Sequence, residues 1–423
     1  MVPKGWDIVS FGSLAEFRNG LNYSKSDSGE SIKIIGVADF KDNFELGSFE
    51  SLETISVANK VKNTDLIQSG DLLFVRSNGN KALIGRCLFF PSVTEKLSFS
   101  GFTIRGRVVA DSALPNYLAV LSRSSLVKQQ FSKSGGGTNI SNLSQQILSD
   151  IVVPLPPLPE QRKIAQILST WDRAITATEK LVETSKQQKK ALMQQLLTGK
   201  KRLLNPETGK AFEGAWDTVQ LSELFSRLTE KNNGQSTNVV TISAQHGLIR
   251  QEEFFKKSVA SETLDNYFIL RKGQFAYNKS YSNGYPMGAI KRLNRYEDGV
   301  VTSLYICFEI KDEQATSSCF MEQYFESGLL NKGLTQVAAE GGRAHGLLNV
   351  KPSDFMALAM KVPAVSEQNQ IAKVLTAADK EVATIERKLN QLKEEKKALM
   401  QQLLTGKRRV ITELQEGDIT EWK

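Results

Sequence analysis

Histidine is almost missing from this chain: His246 and His345 are the only two in 423 residues. Two imidazoles so far apart argue against a histidine-based metal centre or a histidine-activated nucleophile. Cysteine is nearly as scarce. Cys87, Cys307 and Cys319 are odd in number and form no CxxC pair, which argues against a disulfide framework or a structural zinc and fits a reducing cytoplasm. No apolar run approaches the roughly 18 residues of a membrane helix, so no membrane partner is expected. The opening MVPKGWDIVSFG also lacks the apolar stretch and cleavage site of a signal peptide. Phosphate-loop chemistry is missing as well, since Gly199-Lys200 and Gly209-Lys210 lack the preceding loop and the following hydroxyl. No Pro-Pro-aromatic motif preceded by Asp or Asn occurs, which leaves an adenine methyltransferase site unsupported. The nearest nuclease-like pattern is Asp298 followed by Glu309-Ile310-Lys311, a spacing that divalent-metal nucleases use. ExK is common by chance, however, and the first half of the chain has no equivalent, so an ordinary strand edge is the default.

The remaining composition is ordinary for a globular protein, 40% hydrophobic and 24% charged. At this length a single core is too small a unit, and two or more domains are expected. The net charge of +8 invites a nucleic-acid reading, but its location matters more than its size. The basic excess is concentrated in residues 159–202 and 366–409. A lysine-rich helix face is most often merely solvated, so charge alone decides little.

Those two segments share a repeat. KKALMQQLLTGK stands at Lys189–Lys200 and again, unchanged, at Lys396–Lys407. The same offset of 207 residues aligns Glu160-Gln161 with Glu367-Gln368, Ile164-Ala165 with Ile371-Ala372, and Asp172 with Asp379. A second echo opens each half, GWDIVSFGSL from Gly5 and AWDTVQLSEL from Ala215, and EW at Glu421-Trp422 begins a third. Trp6, Trp216 and Trp422 thereby become corresponding residues. The chain reads as domain, helix, domain, helix and the stub of another domain, a duplication whose unit is far longer than a solenoid repeat.

Both segments carry a heptad-spaced seam. It runs Ile164, Leu168, Trp171, Ile175, Thr178, Val182, Ser185, Lys189, Leu192, Leu196 in the first. In the second it runs Ile371, Leu375, Ala378, Val382, Ile385, Leu389, Leu392, Lys396, Leu399, Leu403. This is the signature of a coiled coil. Leu-Thr-Gly closes each helix, with Gly199 and Gly406 as left-handed caps. Forty residues at about 1.5 Å each make a rod on the order of 60 Å long. Each rod needs a partner, and the economical one is the other repeat, lying antiparallel about a two-fold axis. Lys189 and Lys396 fall on the seam, where a polar residue can fix register.

The two globular halves look alike in plan. DLLFVRSN from Asp71 and GQFAYNKSYSN from Gly273 read as corresponding strands, each emptying into a polar loop. ALIGRCLFF, GFTIRGRVV and VVTSLYICFEI also read as strands. LPNYLAVLSRSSLVKQQF and SSCFMEQYFESGLLNKGL read as helices. Each half then has a glycine-rich turn, SGGGTN from Ser134 and EGGRAHG from Glu340. The polar loops fit recognition better than catalysis. Arg76, Ser77, Asn78, Gly79, Asn80 and Lys81 gather groups that pair with base edges and phosphates. Thr138, Asn139 and Ser141 follow a triple glycine that lets backbone approach a phosphate closely. The second half offers Asn278, Lys279, Ser280, Tyr281, Asn283 and Tyr285, then Arg343 and His345. Each residue taken singly is as compatible with a solvated turn. Corresponding loops that are polar yet chemically different suggest a pair of readers for two different short sequences.

PLPPLPEQRKIAQILSTWD with KKALMQQLLTGKKR, and SEQNQIAKVLTAADK with KKALMQQLLTGKRR, resemble the conserved regions of specificity subunits of type I restriction-modification systems. The second copy departs where the proline run becomes KVPAVSEQ. The resemblance implies an α+β chain: two mixed α/β target-recognition domains joined by two long antiparallel coiled-coil helices with pseudo-two-fold symmetry. The expected divisions are 1–158, 159–202, 203–365, 366–409 and a tail at 410–423. It further implies a non-catalytic DNA reader, each domain contacting one half of a bipartite, asymmetric duplex target. The helices would set the gap between halves and dock two modification (methyltransferase) subunits. Cofactors would then belong to partners: S-adenosylmethionine on the modification subunits, ATP and Mg on the motor-nuclease restriction subunits, and none on this chain. Two rivals remain, a coiled-coil adaptor without DNA specificity and a nuclease built on Asp298, Glu309 and Lys311.

Overall fold

The computed structural model describes residues 2–24, 26–40, 43–58, 61–134, 142–254, 263–338 and 348–411. Thr138, Asn139, Ser141, Arg343, His345, Trp422 and most of the C-terminal tail lie outside the described residues. The chain divides into two compact units, residues 1–179 with 388–423, and residues 180–387. The division falls inside both long helices, Leu158–Leu196 and Val365–Leu403. Each unit therefore contains one mixed α/β body and a stretch of each helix. Among the described residues no helix is long and apolar enough to cross a membrane.

Unit 1 is built on a four-stranded antiparallel sheet in the order Ala15–Asn19, Thr103–Val108, Leu72–Val75, Cys87–Phe89. Unit 2 repeats that order with Phe225–Leu228, Ile306–Ile310, Phe275–Asn278, Ala289–Arg292. Leu72–Val75 is buried along its whole length, as a central strand covered on both faces must be. Each unit also closes on itself through a two-stranded ribbon. Asp7–Ser10 pairs with Val152–Leu155, and Asp217–Gln220 pairs with Ala359–Val362, so the strand that opens each body meets the one leading into its long helix. The smaller sheets differ. Unit 1 has one of three strands, Glu53–Val57, Glu30–Ile35 and Leu97–Phe99, whereas unit 2 has two separate pairs.

Several expected elements come out shorter than their sequence pattern. VVTSLYICFEI is two strands, Asp298–Val301 and Ile306–Ile310, which belong to different sheets and are separated by a turn closed from Tyr305 N–H to Thr302 O. ALIGRCLFF is a strand only at Cys87–Phe89, because Gly85 takes a positive φ of 78° just before it. The first long helical pattern breaks into Pro115–Ser122 and Ser125–Ser134, with Ser124 Oγ accepting the Val127 N–H as a new N-cap. Its counterpart breaks into Ser318–Glu326 and Asn331–Val337 around Gly328, at φ 75°.

Where the long helices share a unit they run antiparallel and are joined through repeated residues. In unit 1, Lys396 pairs with Asp172, Lys393 with Glu179, and Arg409 with Glu160. In unit 2, Lys189 pairs with Asp379, Lys186 with Glu386, and Arg202 with Glu367. All three contacts recur at the 207-residue offset: Lys396–Asp172 with Lys189–Asp379, Lys393–Glu179 with Lys186–Glu386, and Arg409–Glu160 with Arg202–Glu367. The seam lysines thus find opposite charges, as a register-fixing polar pair requires. Ile164 and Leu168 join the unit 1 core, and Leu196, Ile371 and Leu375 that of unit 2.

The helix ends show why the repeat stops in glycine. Both leave the helix through a positive φ, 69° at Gly199 and 72° at Gly406. Two residues later an N–H returns to the last turn, Lys201 to Gln195 O and Arg408 to Gln402 O. A Cβ at Gly199 would stand 3.3 Å from the Trp216 ring, whereas one at Gly406 would stand 2.3 Å from Pro3 Cγ. Identical sequence thus meets different surroundings. Gly199→Ala is expected to cost about 1 kcal/mol, mostly conformational. Gly406→Ala is expected to cost about 2–3 kcal/mol because overpacking adds to it. Hydrogen exchange resolved by unit checks the order in the two single variants, and equal losses would refute the Pro3 contact.

Candidate nucleic-acid interface

In both units the polar loop begins where the central strand of the four-stranded sheet ends. Arg76 follows Val75 and is pinned on three sides. Its N–H donates to Phe102 O at 2.8 Å, its carbonyl accepts the Leu143 N–H at 2.8 Å, and its Nη1 donates to Gly101 O at 3.3 Å. Lys279 follows Asn278 in the same way, its carbonyl accepting the Leu348 N–H at 2.9 Å and its Nζ reaching Val350 O at 3.5 Å. Leu143 and Leu348 each come shortly after a glycine-rich segment. The same backbone bond therefore joins the residue after the central strand to the described chain that resumes at Leu143 or Leu348 in each unit, a correspondence invisible from sequence alone.

Beyond Arg76 the loop is shaped by short side-chain turns. Asn78 Oδ1 accepts the Asn80 N–H at 2.8 Å, and Asn80 Oδ1 accepts the Ala82 N–H at 3.1 Å. Lys81 is left exposed and Ser77 half-buried. Ser77 and Asn78 form one wall of a cleft of about 710 Å³ whose other walls carry Tyr23, Asp39, Glu53 and Phe102. Phe102 is 63% exposed, an apolar ring presented to a concave polar surface. Sequence reasoning passed over Phe102 and Tyr23.

In unit 2, Asn278 Oδ1 accepts the Ser280 N–H at 3.1 Å, and Tyr281 is 65% exposed. Asn283 is exposed at the tip of a turn held by reciprocal backbone bonds between Ser282 and Tyr285. Tyr285 itself is turned inward. Its hydroxyl bonds Glu326, its ring carries the Lys291 ammonium at 4.8 Å, and Lys291 in turn pairs with Glu326 at 2.5 Å. Burial, then the Glu326 charge, raises its phenol above the usual range. Tyr285 holds the loop's base rather than its surface.

The nuclease candidates do not converge. Asp298 accepts Ser236 Oγ in one sheet, Glu309 accepts Gln274 Nε2 at 2.9 Å in another, and Lys311 Nζ donates to Ser222 O at 2.7 Å. Among the described residues no group of three His, Cys, Asp or Glu side chains could hold a metal ion. Burial pushes the Cys87 and Cys307 thiols up to about 12, opposite to the direction a nucleophile needs.

Comparison with known proteins places this geometry. Residues 3–184 match the type I restriction modification DNA specificity domain. The chain is 27% identical over 264 residues to the type I restriction enzyme EcoKI specificity subunit of Escherichia coli K12, covering 59% of this chain and 54% of that one. It is 24% identical over 444 residues to the MjaVIII specificity subunit of Methanocaldococcus jannaschii, covering 97% and 94%. The fold is similar to the S subunit of a type I system from M. genitalium, with a TM-score of 0.56 at 12% identity over 94% of this chain and 96% of that one. A chain from a structure of type I R-M complex assembly and conformational transition gives 0.58 at 16% identity, over 96% and 99%. Such subunits are non-catalytic, the chemistry residing in other subunits of their systems. Residues 3–184 thus match the specificity domain, and over nearly its whole length the chain is similar to specificity subunits of type I restriction-modification systems.

Proposed function

We propose that the chain reads a bipartite, asymmetric DNA target, each α/β body contacting one half. The observation that carries this is the matched backbone bond at the foot of the loop, Leu143 N–H to Arg76 O and Leu348 N–H to Lys279 O, with chemically different loop side chains beyond it. Equivalent scaffolds with unlike loops are what two readers of unlike half-sites need. Arg76, Ser77, Asn78, Lys81, Thr138 and Asn139 serve one half-site in this reading. Asn278, Lys279, Tyr281, Asn283, Arg343 and His345 serve the other. The paired helices set the unspecified gap and present their repeated faces to two modification subunits. Those partners carry S-adenosylmethionine and methylate adenine, restriction subunits consume ATP with Mg, and the assembly works in the cytoplasm.

The test is co-expression with the cognate methyltransferase and genome-wide mapping of methylated adenines, which should return a split motif with a fixed gap. Alanine at Asn78 or Lys81 should relax one half-site by about 1–3 kcal/mol per lost base contact, with the other half unchanged. Relaxation of both halves together would contradict separate readers. Absence of any salt-sensitive, sequence-selective DNA binding would leave the coiled-coil adaptor as the better account.

A further inference from the structure

The unit 1 cleft is framed by sheet backbone on two sides. Glu53 opens the strand Glu53–Val57 and sits in register opposite Ile34, which also lines the cleft. On the other side Ser100 N–H donates to Ile35 O at 2.9 Å, and Gly101 N–H to Leu21 O at 2.7 Å. Phe102 O then accepts the N–H groups of Arg76, at 2.8 Å, and Ser77, at 3.4 Å. Backbone bonds therefore hold Glu53 and Phe102 in fixed positions beside the polar loop, as a recognition site requires. The two carboxylates in the wall are differently employed. Asp39 Oδ2 accepts the Gly36 N–H at 2.8 Å and so closes its own turn. Glu53 is exposed, and among the described residues no hydrogen bond or ion pair engages its carboxylate. Burial, then the Glu53 and Asp39 charges, raises the Tyr23 phenol above its usual range.

A free carboxylate in a DNA-facing cleft narrows what can sit against it. It only accepts hydrogen bonds. Phosphate oxygens carry the same sign and also only accept, so Glu53 does not serve the backbone. The donors that bases present in the major groove are the amino groups of adenine N6 and cytosine N4. Adenine sets its N7 acceptor beside N6, where a second carboxylate oxygen meets it unfavourably. Cytosine offers N4 with no acceptor of its own on that edge. Phe102, 63% exposed, supplies apolar surface suited to the neighbouring C5 edge of a pyrimidine.

We propose that Glu53 reads a cytosine in the unit 1 half-site by accepting from its N4 amino group, with Phe102 against the C5 edge. This rests on the DNA reading proposed above and names one base within it. Unit 2 keeps only part of the device. The turn before its corresponding strand, Ile306–Ile310, also exposes a large apolar residue, Leu304, at 59%. The three-stranded sheet that carries Glu53 has no counterpart there among the described residues. Val240–Ser243 pairs with Gly247–Arg250, and Phe268–Arg271 with Asp298–Val301, as separate ribbons. The apolar contact is thus common to both units, whereas the Glu53 acceptor belongs to one, and Glu53 governs one half-site only.

Mapping methylated adenines after co-expression with the cognate methyltransferase tests this with Glu53→Ala, Glu53→Gln and Phe102→Ala. Glu50→Gln, an exposed glutamate that does not line the cleft, is the charge control. The full-length chain should show a C·G pair in one half-site whose preference Glu53→Ala relaxes by roughly tenfold. Phe102→Ala should relax the same pair by less. Glu53→Gln should shift that position toward adenine, because an amide pairs with both N6 and N7. The other half-site should stay as it is in every variant, and Glu50→Gln should leave the whole motif unchanged. A split motif that Glu53→Ala leaves unmoved overturns the proposal while DNA reading stands. So does relaxation at an A·T pair, at both half-sites, or at different positions in Glu53→Ala and Phe102→Ala. Absence of any split motif with the unaltered chain refutes the reading itself, and the cytosine contact with it.

Discussion

Glu160→Ala is expected to destabilise unit 1 by about 3 kcal/mol, and Glu367→Ala to destabilise unit 2 by slightly more, within the range of about 3–5 kcal/mol for breaking a buried ion pair. Glu160 has a side chain only 4% exposed, and it accepts both the Arg409 guanidinium and the Trp6 indole N–H at 3.3 Å. Removing it strands a cation and a buried donor together. Arg409 is 36% exposed, however, so water recovers part of that loss. Glu367 is more deeply placed, at 2%, and Arg202 grips it with two bonds of 2.6 and 2.7 Å while remaining 23% exposed. Both Glu367 oxygens are taken by Arg202, and the Trp216 indole N–H has no hydrogen-bond partner, unlike that of Trp6. A chain with two units does not melt as one transition, so hydrogen exchange resolved by unit is the appropriate measurement. Glu160→Ala with Arg409→Ala should cost less than the sum of the two singles, because the pair is lost only once. Equal loss of protection in both units from either single variant would sink the assignment of each pair to its own unit.

The duplication, the seam and the glycine caps were legible because they are local and periodic. A 12-residue identity needs no packing knowledge to be seen, and Lys189 and Lys396 betrayed their seam position by spacing alone. What each does was not legible: their partners Asp379 and Asp172 lie 190 and 224 residues away. The strand breaks failed for a related reason. Nothing in VVTSLYICFEI distinguishes one long strand from two, since only the pairing of Asp298–Val301 with Phe268–Arg271 assigns its first part to another sheet. In the candidate site, loop position was readable and side-chain direction was not. Tyr281 and Tyr285 look equivalent in sequence, yet one is exposed and the other is drawn inward by Glu326, 41 residues on. Phe102 escaped because an exposed aromatic carries no sequence signature separating it from a core one.

Gln161→Leu should be the most damaging single change in the repeated motif that leaves its charge untouched. Gln161 is fully buried. Its Oε1 accepts the Leu114 N–H at 2.8 Å, and its Nε2 donates to Ser112 O at 2.7 Å and Pro156 O at 2.8 Å. Leu114 is the N-cap of the helix Pro115–Ser122 and has no polar side chain to cap it. The glutamine therefore ties that helix start to the first turn of the long helix, doing for distant backbone what a cap does locally. Leucine has similar volume but leaves three backbone groups without partners. At about 1–3 kcal/mol each, the loss approaches the stability of a whole unit. Gln368 does the same in unit 2 with two bonds, from Ser317 N–H at 2.9 Å and to Pro363 O at 2.8 Å, so Gln368→Leu should cost about two-thirds as much. Glutamate is no remedy at either position, since its second oxygen would face carbonyl oxygens where Nε2 now donates. That requirement explains why the Glu-Gln pair survives in both repeats while the residues around it drift: Glu fastens the end of the other helix, and Gln fastens the α/β body. Amide exchange at Leu114 and Ser317 in the two variants reads each tie directly. A loss below about 1 kcal/mol for Gln161→Leu, or a larger one for Gln368→Leu, would be incompatible with this account.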